Sequence, residues 1–260
     1  MITRDVGEGT PLILIHGFGV NSLIMQALED YIDFSGWRRI YIDLPWTSRG
    51  LDKSVDSADA VLSVIEREVL EYLGQAHFAL IGNSFGAMIA RGIAHNHKDK
   101  VLGLATLAGV FEPVSEKRNV PEKTVLIQDS YFVSTLGKNK DDFIEVSVLQ
   151  DKPNYERFAK YVLPGLVEAD SEVMDAISKR YALETVPEES TMEPFEAPSL
   201  HVFGKQDHVV GFQDGFHWMN HYQKGTYAVL DGAGHNLHLE QPQIVKALLE
   251  NWLSRVSSGT

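Results

Sequence analysis

Leu80-Ile81-Gly82-Asn83-Ser84-Phe85-Gly86-Ala87-Met88-Ile89-Ala90 runs a short apolar segment into a helix-like one through a serine set between two glycines. Gly82 and Gly86 stand two positions either side of Ser84, which predicts a sharp turn with room only for hydrogen beside the serine. Gly-X-Ser-X-Gly between a strand and a helix is the pattern of a nucleophile elbow. There a strained backbone lifts the hydroxyl above a sheet, and the next helix points its N-terminal amides at any anion formed beside it. The pentapeptide alone is also an ordinary Gly/Ser turn, so the rest of the chain has to decide.

Outward from that turn, short β-branched runs alternate with longer helical patterns. Candidate strands are residues 12–16, 38–43, 77–81, 101–107, 199–203 and 226–230, several of them apolar almost throughout, as strands covered on both faces must be. Ala58, Val61, Leu62, Ile65, Val69 and Leu73 mark one helical face that Gly74 ends, and Ile244, Val245, Leu248, Leu249 and Trp252 mark another behind Pro242. The alternation predicts an α/β fold with a mostly parallel central sheet flanked by helices. It breaks from about Phe111 to Ala197, a polar, proline-punctuated and mainly helical stretch whose clearest helix covers residues 171–181. This reads as an insertion between two sheet strands, so that residues 1–110 and 198–260 form one core and 111–197 an added unit.

Composition narrows the function classes. A chain of 260 residues with 44% hydrophobic side chains suits one domain with an insertion. The net charge of -13 disfavours nucleic acid and anionic membrane as partners and by itself implies only solubility. Zero cysteines removes thiolate metal sites and cysteine nucleophiles. MITRDVGEGTP has no apolar signal core and no apolar run reaches membrane-spanning length, so the expected location is cytoplasmic.

Three further stretches bear on Ser84. Leu12 to Gly19, LILIHGFG, is a strand followed by His-Gly-X-Gly, a loop able to set the amide of Phe18 opposite that of Phe85 as two donors to an oxyanion. His16 reads as structural. Leu200 to Val210 places Asp207 in a loop after a strand, and Val229 to Glu240 places His235 after another strand behind Gly-Ala-Gly. A serine needs a base to take its proton, and the base needs a carboxylate to hold its tautomer and stabilise its cation. The chain supplies Ser, Asp and His in that order, each just after a strand.

With His16-Gly17-Phe18-Gly19, Gly82-Asn83-Ser84-Phe85-Gly86, Asp207 and Gly234-His235, the sequence resembles the α/β-hydrolase superfamily over nearly its whole length. The resemblance implies Ser84 as nucleophile, His235 as general base and then acid, Asp207 as its orienter, and residues 111–197 as a helical cap over the site. Departures are visible. Only about ten residues precede Leu12, so the usual N-terminal hairpin is shortened or absent. Asp43-Leu44-Pro45-Trp46-Thr47-Ser48-Arg49-Gly50 replaces the usual Asp-Leu-Pro-Gly-His-Gly, and Trp46 either lines the pocket or packs on its loop. Glu112 is a rival acid. Cap side chains such as Tyr131, Phe132, Tyr155 and Phe158 are expected to shape the pocket.

The remaining histidines, including His95, His97, His208, His217, His221 and His238, lack metal-ligand spacing. His217 and His221, four apart on an expected helix, have no third ligand nearby. No phosphate-binding loop appears, and neither metal nor cofactor is expected. The leading reading is a serine hydrolase of a small ester, thioester or lactone, and the partner it implies is that small-molecule substrate. Two alternatives stand beside it: a carbon–carbon bond hydrolase of diketone-like ring-cleavage products, whose elbow Gly-Asn-Ser-Phe-Gly resembles, and a hydrolase-fold sensor of a small molecule.

Overall fold

A computed structural model describes residues 1–138, 140–191 and 193–260. The apolar runs become strands of one sheet. In chain order these are β1 (Ile2–Val6), β2 (Thr10–Ile15), β3 (Trp37–Ile42), β4 (Phe78–Asn83), β5 (Val101–Leu107), β6 (Ser199–Gly204) and β7 (Gly225–Leu230). They lie side by side as β1-β3-β2-β4-β5-β6-β7, with β1 antiparallel to β3 and all other pairs parallel. All six residues of β4 are buried, as are all six of β6, which is why their sequences lack polar alternation. The N-terminal edge is present as a strand antiparallel to β3. That strand is β1, and its exposed Arg4 and Asp5 hide it from any search for apolar runs.

Three long helices flank the sheet. α1 (Ala58–Leu73) starts where Ser57 Oγ accepts the Ala60 N–H, buries Ala58, Val61, Ile65 and Val69, and ends at Gly74 with φ 60°. α2 (Phe85–Asn96) follows the Gly-Asn-Ser-Phe-Gly turn and is buried from Phe85 through His95. α3 (Pro242–Ser258) buries Val245, Leu249, Trp252, Leu253 and Val256.

The chain between β5 and β6, two strands that pair directly, contains the helices Ser130–Thr135, Lys140–Val146, Lys152–Tyr161, Leu163–Glu168 and Ser171–Ser178. The helix expected over 171–181 stops at Ser178, and Tyr181 turns inward against Phe18 and Phe85. A buried ion pair ties this stretch to the sheet: Arg91 of α2 donates from Nε and Nη2 to Glu188 at 2.7 and 2.5 Å, and from Nη1 to the Val110 carbonyl at 2.6 Å. Burial works against the Glu188 charge, but Arg91 prevails and its pKa falls to about 2. Among the described residues no helix is long and apolar enough to cross a membrane.

Four histidines are sealed into this frame. Burial lowers His16, His95 and His238 to about 4 and His201 to about 3, against an ordinary value of 6.5. Their folded values lie below the unfolded one, so their contribution to stability is complete above pH 6.5 and is lost as pH falls toward 4. We expect the thermal midpoint to begin dropping below about pH 6.5, before the carboxylates titrate. A midpoint level from pH 7 down to 5 in a thermal melt series would contradict the burial of these rings.

Candidate active site

The geometry begins at Ser84, which adopts φ 51° and ψ -116°, a left-handed conformation that only close surroundings maintain in a non-glycine residue. Its N–H donates to the Leu107 carbonyl at 3.0 Å and its carbonyl accepts from Val110 and Ala87, each at 3.1 Å. The flanking glycines are steric necessities. A Cβ at Gly82 would lie 2.5 Å from the Ala87 Cα, and one at Gly86 would lie 2.3 and 2.4 Å from the carbonyl oxygens of His16 and Ile15. The turn is therefore pressed between its own helix and the end of β2.

The structure brings together the three side chains that the sequence scatters over some 150 positions. His235 Nε2 lies 2.9 Å from Ser84 Oγ, and His235 Nδ1 lies 2.9 Å from Asp207 Oδ2. Asp207 is buried, and its other oxygen accepts the N–H groups of Val209 and Val210 at 2.8 and 3.0 Å. With Nδ1–H donating to the carboxylate, Nε2 presents its lone pair to the serine hydroxyl. This is the tautomer needed for proton removal. Glu112 stands elsewhere: its Oε1 accepts the Val114 N–H of its own loop at 2.8 Å.

Gly17 carries the His-Gly-Phe-Gly loop against the serine, where a Cβ at position 17 would come 3.1 Å from the Ser84 Cβ. Phe18 and Phe85 then face one another with ring centroids 5.6 Å apart. Phe85 is the first residue of α2, so its N–H has no carbonyl one helical turn back. His16 anchors the loop from inside, donating Nδ1–H to the Gly17 carbonyl at 2.8 Å and accepting the Leu44 N–H on Nε2 at 2.9 Å. Trp46 is fully buried. It donates Nε1–H to the Val20 carbonyl at 2.9 Å and packs edge-on against His16, Phe18 and Phe85, so of its two alternatives the loop-packing one holds.

A cavity of about 200 Å³ opens over Ser84 and His235. Its walls come from the core (Phe18, Val20, Ile24) and from residues 111–197 (Val146, Phe158, Val162, Leu166), with Asp142 and Glu145 also on its lining. Of the four aromatic residues expected to shape it, only Phe158 does so. Tyr155 packs edge-on against Phe132 and Phe143, outside the lining, and Tyr131 is 83% exposed. A larger groove of about 590 Å³, lined by Ser57, Asp59 and residues 113–116 and 178–184, contains none of Ser84, Asp207 or His235.

His217 and His221 do not share a helix, which covers only Phe212–Phe216. His221 Nε2 instead meets His95 Nε2 at 2.8 Å. Among the described residues no three His, Cys, Asp or Glu side chains converge as a metal site. Two polar side chains that the sequence reading passed over matter here. Arg91 interrupts an otherwise apolar helix, a signal in itself. Glu240 lies in His-Leu-Glu-Gln-Pro, where a charged residue between Leu239 and the start of α3 looks like a surface position and is buried.

Residues 10–242 match the model of the alpha/beta hydrolase fold family. The chain is 23% identical over 264 residues to a pimeloyl-[acyl-carrier protein] methyl ester esterase of Shewanella woodyi, covering 97% of each protein. It is also 23% identical over 275 residues to a 2-hydroxymuconate semialdehyde hydrolase of Pseudomonas sp. strain CF600, covering 98% of this chain and 91% of that one. The crystal structure of an alpha/beta superfamily hydrolase from Oenococcus oeni PSU-1 superposes with a TM-score of 0.90 at 25% identity, covering 98% and 95% of the two chains.

The elbow makes a mechanical prediction. Gly86→Ala drives a methyl group into the backbone carbonyls of Ile15, the last residue of β2, and His16 just after it, and is expected to cost about 3 kcal/mol or more. Gly36→Ala, with nothing within 4 Å and only its φ of +81° against it, should cost roughly 1–2 kcal/mol. Urea unfolding of both variants checks this, and equal costs would mean that the elbow is not close-packed.

Proposed function

Since the chain belongs to the alpha/beta hydrolase fold family, we propose that this hydrolase is a serine esterase for small uncharged esters, thioesters or lactones, working through an acyl-enzyme. One observation carries the reading: the unbroken hydrogen-bonded series Asp207–His235–Ser84, with both links at 2.9 Å, on the floor of a mostly apolar cavity.

In this scheme His235 Nε2 takes the hydroxyl proton as Ser84 Oγ attacks the acyl carbon, and Asp207 stabilises the imidazolium. The oxyanion is met by the amides of Phe18 and Phe85 at the N-terminus of α2. Collapse expels the alcohol or thiol, protonated by His235. Water, deprotonated by the same nitrogen, then attacks the acyl-enzyme and frees Ser84. Residues 111–197 act as a cap, and their Val146, Phe158, Val162 and Leu166 exclude water from the reacting carbon. No step calls for a metal or cofactor, and the partner in this reading is a small molecule.

The lining also supports uncharged substrates. Among the described residues it includes no lysine or arginine, and its two carboxylates, Asp142 and Glu145, are exposed at its border, Glu145 being paired with Lys123 at 2.6 Å. A carboxylate-bearing ring-cleavage product entering this cavity would lose hydration without gaining a cation from its lining. That weighs against the carbon–carbon cleavage reading.

Two predictions follow from these roles. A fluorophosphonate should label Ser84 in the parent but not in Ser84→Ala. Asp207→Asn should lose up to about 10⁴-fold in kcat, while Glu112→Gln stays within about tenfold. The reverse order in steady-state kinetics would move the acid to Glu112. Separately, p-nitrophenyl butyrate should be hydrolysed with kcat/KM at least about tenfold above its anionic counterpart, mono-p-nitrophenyl succinate, a difference of ~1.4 kcal/mol. A preference for the anionic ester, or faster turnover of a vinylogous diketone, would overturn the substrate class.

A further inference from the structure

The loop that carries His235 contains little regular structure, and side chains hold it in place. Gly232 and Ala233 donate their N–H groups to Gln206 Oε1 at 3.0 and 3.2 Å, and the Gly232 carbonyl accepts from Gln241 Nε2 at 2.9 Å. The last amide before the histidine, Gly234 N–H, donates to Glu240 Oε2 at 2.6 Å. The second oxygen of the same carboxylate, Oε1, accepts the Val148 N–H at 2.8 Å. Val148 belongs to the 111–197 segment, and Val146, two residues before it, lines the cavity over Ser84.

Glu240 is only 7% exposed, and it forms no ion pair among the described residues. A buried carboxylate is costly unless donors satisfy it, and two backbone amides approaching it from different chain segments do so with short, directional bonds. The two segments also touch where the carboxylate spans them: a Cβ at Gly234 would lie 2.6 Å from Val148 Cγ2. Burial raises the Glu240 carboxyl, the backbone N–H groups lower it, and the nearby Asp207 charge adds to the rise. An apolar side chain here could fill the space but could not fix the orientation of either amide.

We propose that Glu240 is a positioning residue whose carboxylate, bridging the Gly234 and Val148 amides, sets His235 against Ser84 and registers the pocket wall to that geometry. The inference rests on the serine esterase reading above. Its consequence is kinetic. The histidine must stay within hydrogen-bond reach of both Ser84 and Asp207, and a displacement of about 1 Å at such a site costs up to about 10²-fold.

Glu240→Gln keeps the size of the side chain and one acceptor but turns an amide NH₂ toward one of the two N–H donors. It is expected to lower kcat for p-nitrophenyl butyrate about 10- to 100-fold with KM changed less than about threefold. The rate of fluorophosphonate labelling at Ser84 should fall in proportion. The thermal midpoint should stay within about 5 °C of the parent. The low-field proton signal of the His235 Nδ1–H···Asp207 bond should shift or broaden. Glu240→Asp, with both oxygens on a shorter arm, should recover part of kcat.

Parental kcat and labelling rate in folded Glu240→Gln would overturn the role, and so would losses that track only the folded fraction. If Glu240→Gln does not fold, Glu240→Asp decides by the same labelling rate: slowed labelling in a natively folded variant supports the role, and a parental rate overturns it. A parent protein that no fluorophosphonate labels at Ser84 would instead defeat the serine esterase reading, and this inference with it.

Discussion

Ser84 is held at φ 51°, and the rest of the site depends on that one unfavourable backbone conformation. A non-glycine residue there costs roughly 1–3 kcal/mol, so the surroundings must determine it fully. They do so by proximity. β2, β4 and β5 converge on the turn, Leu107 and Val110 take up its backbone groups, and Gly82 and Gly86 let helix and strand close to distances no Cβ would tolerate. The same closeness explains why β4 and α2 are buried almost to the last side chain. A strained turn persists only where the cost of relaxing it is spread through a dry, packed core.

The features legible in the sequence are those with local periodicity or local chemistry. The central strands announced themselves because both faces are covered, and α1 and α3 because one apolar stripe faces the sheet. Ser84, Asp207 and His235 each stand just past the end of a strand, where a parallel sheet delivers loops to one edge, and that order together with the resemblance to the α/β-hydrolase superfamily suggested their meeting. β1 escaped because an edge strand half in water reads Ile-Thr-Arg-Asp-Val. Trp46 was ambiguous because a large ring beside a site can face either way. Its resting place was decided by Val20 and three aromatic neighbours that the sequence does not identify.

Less legible still were the long-range polar contacts. Arg91 and Glu188 are 97 residues apart, and Glu240 and Val148 are 92 apart. No window of sequence contains both partners, and a glutamate gives no sign of whether it will be buried. The interior of the 111–197 segment was opaque for a related reason. Its helices are short, and their capping by Asp129, Asp151 and Asp170 fixes where they start but not which face meets the core.

These buried charges are not scattered. Each lies where the 111–197 segment meets the sheet domain: Glu188 on Arg91 of α2, and Glu240 reaching up to Val148. Apolar contacts are present at the same boundary, with Met174 against Gly19 and Gly165 against the backbone of Val20 and Asn21, but such surfaces can slide with little loss. A desolvated carboxylate cannot move from its donors without exposing an unpaired charge, so it behaves as a pin. One pin fixes the segment to the helix that begins at Ser84, and the other fixes it to the loop that carries His235. Between them Tyr181 rests on Phe18 and Phe85, the two residues whose amides face the acyl oxygen in the proposed reaction. The outer stretch of the segment, by contrast, leaves Val125, Leu126, Ile127 and Tyr131 in solvent and has no such anchor among the described residues. The polar links between the segment and the sheet therefore gather on the side where Val146, Phe158, Val162 and Leu166 meet the cavity over Ser84.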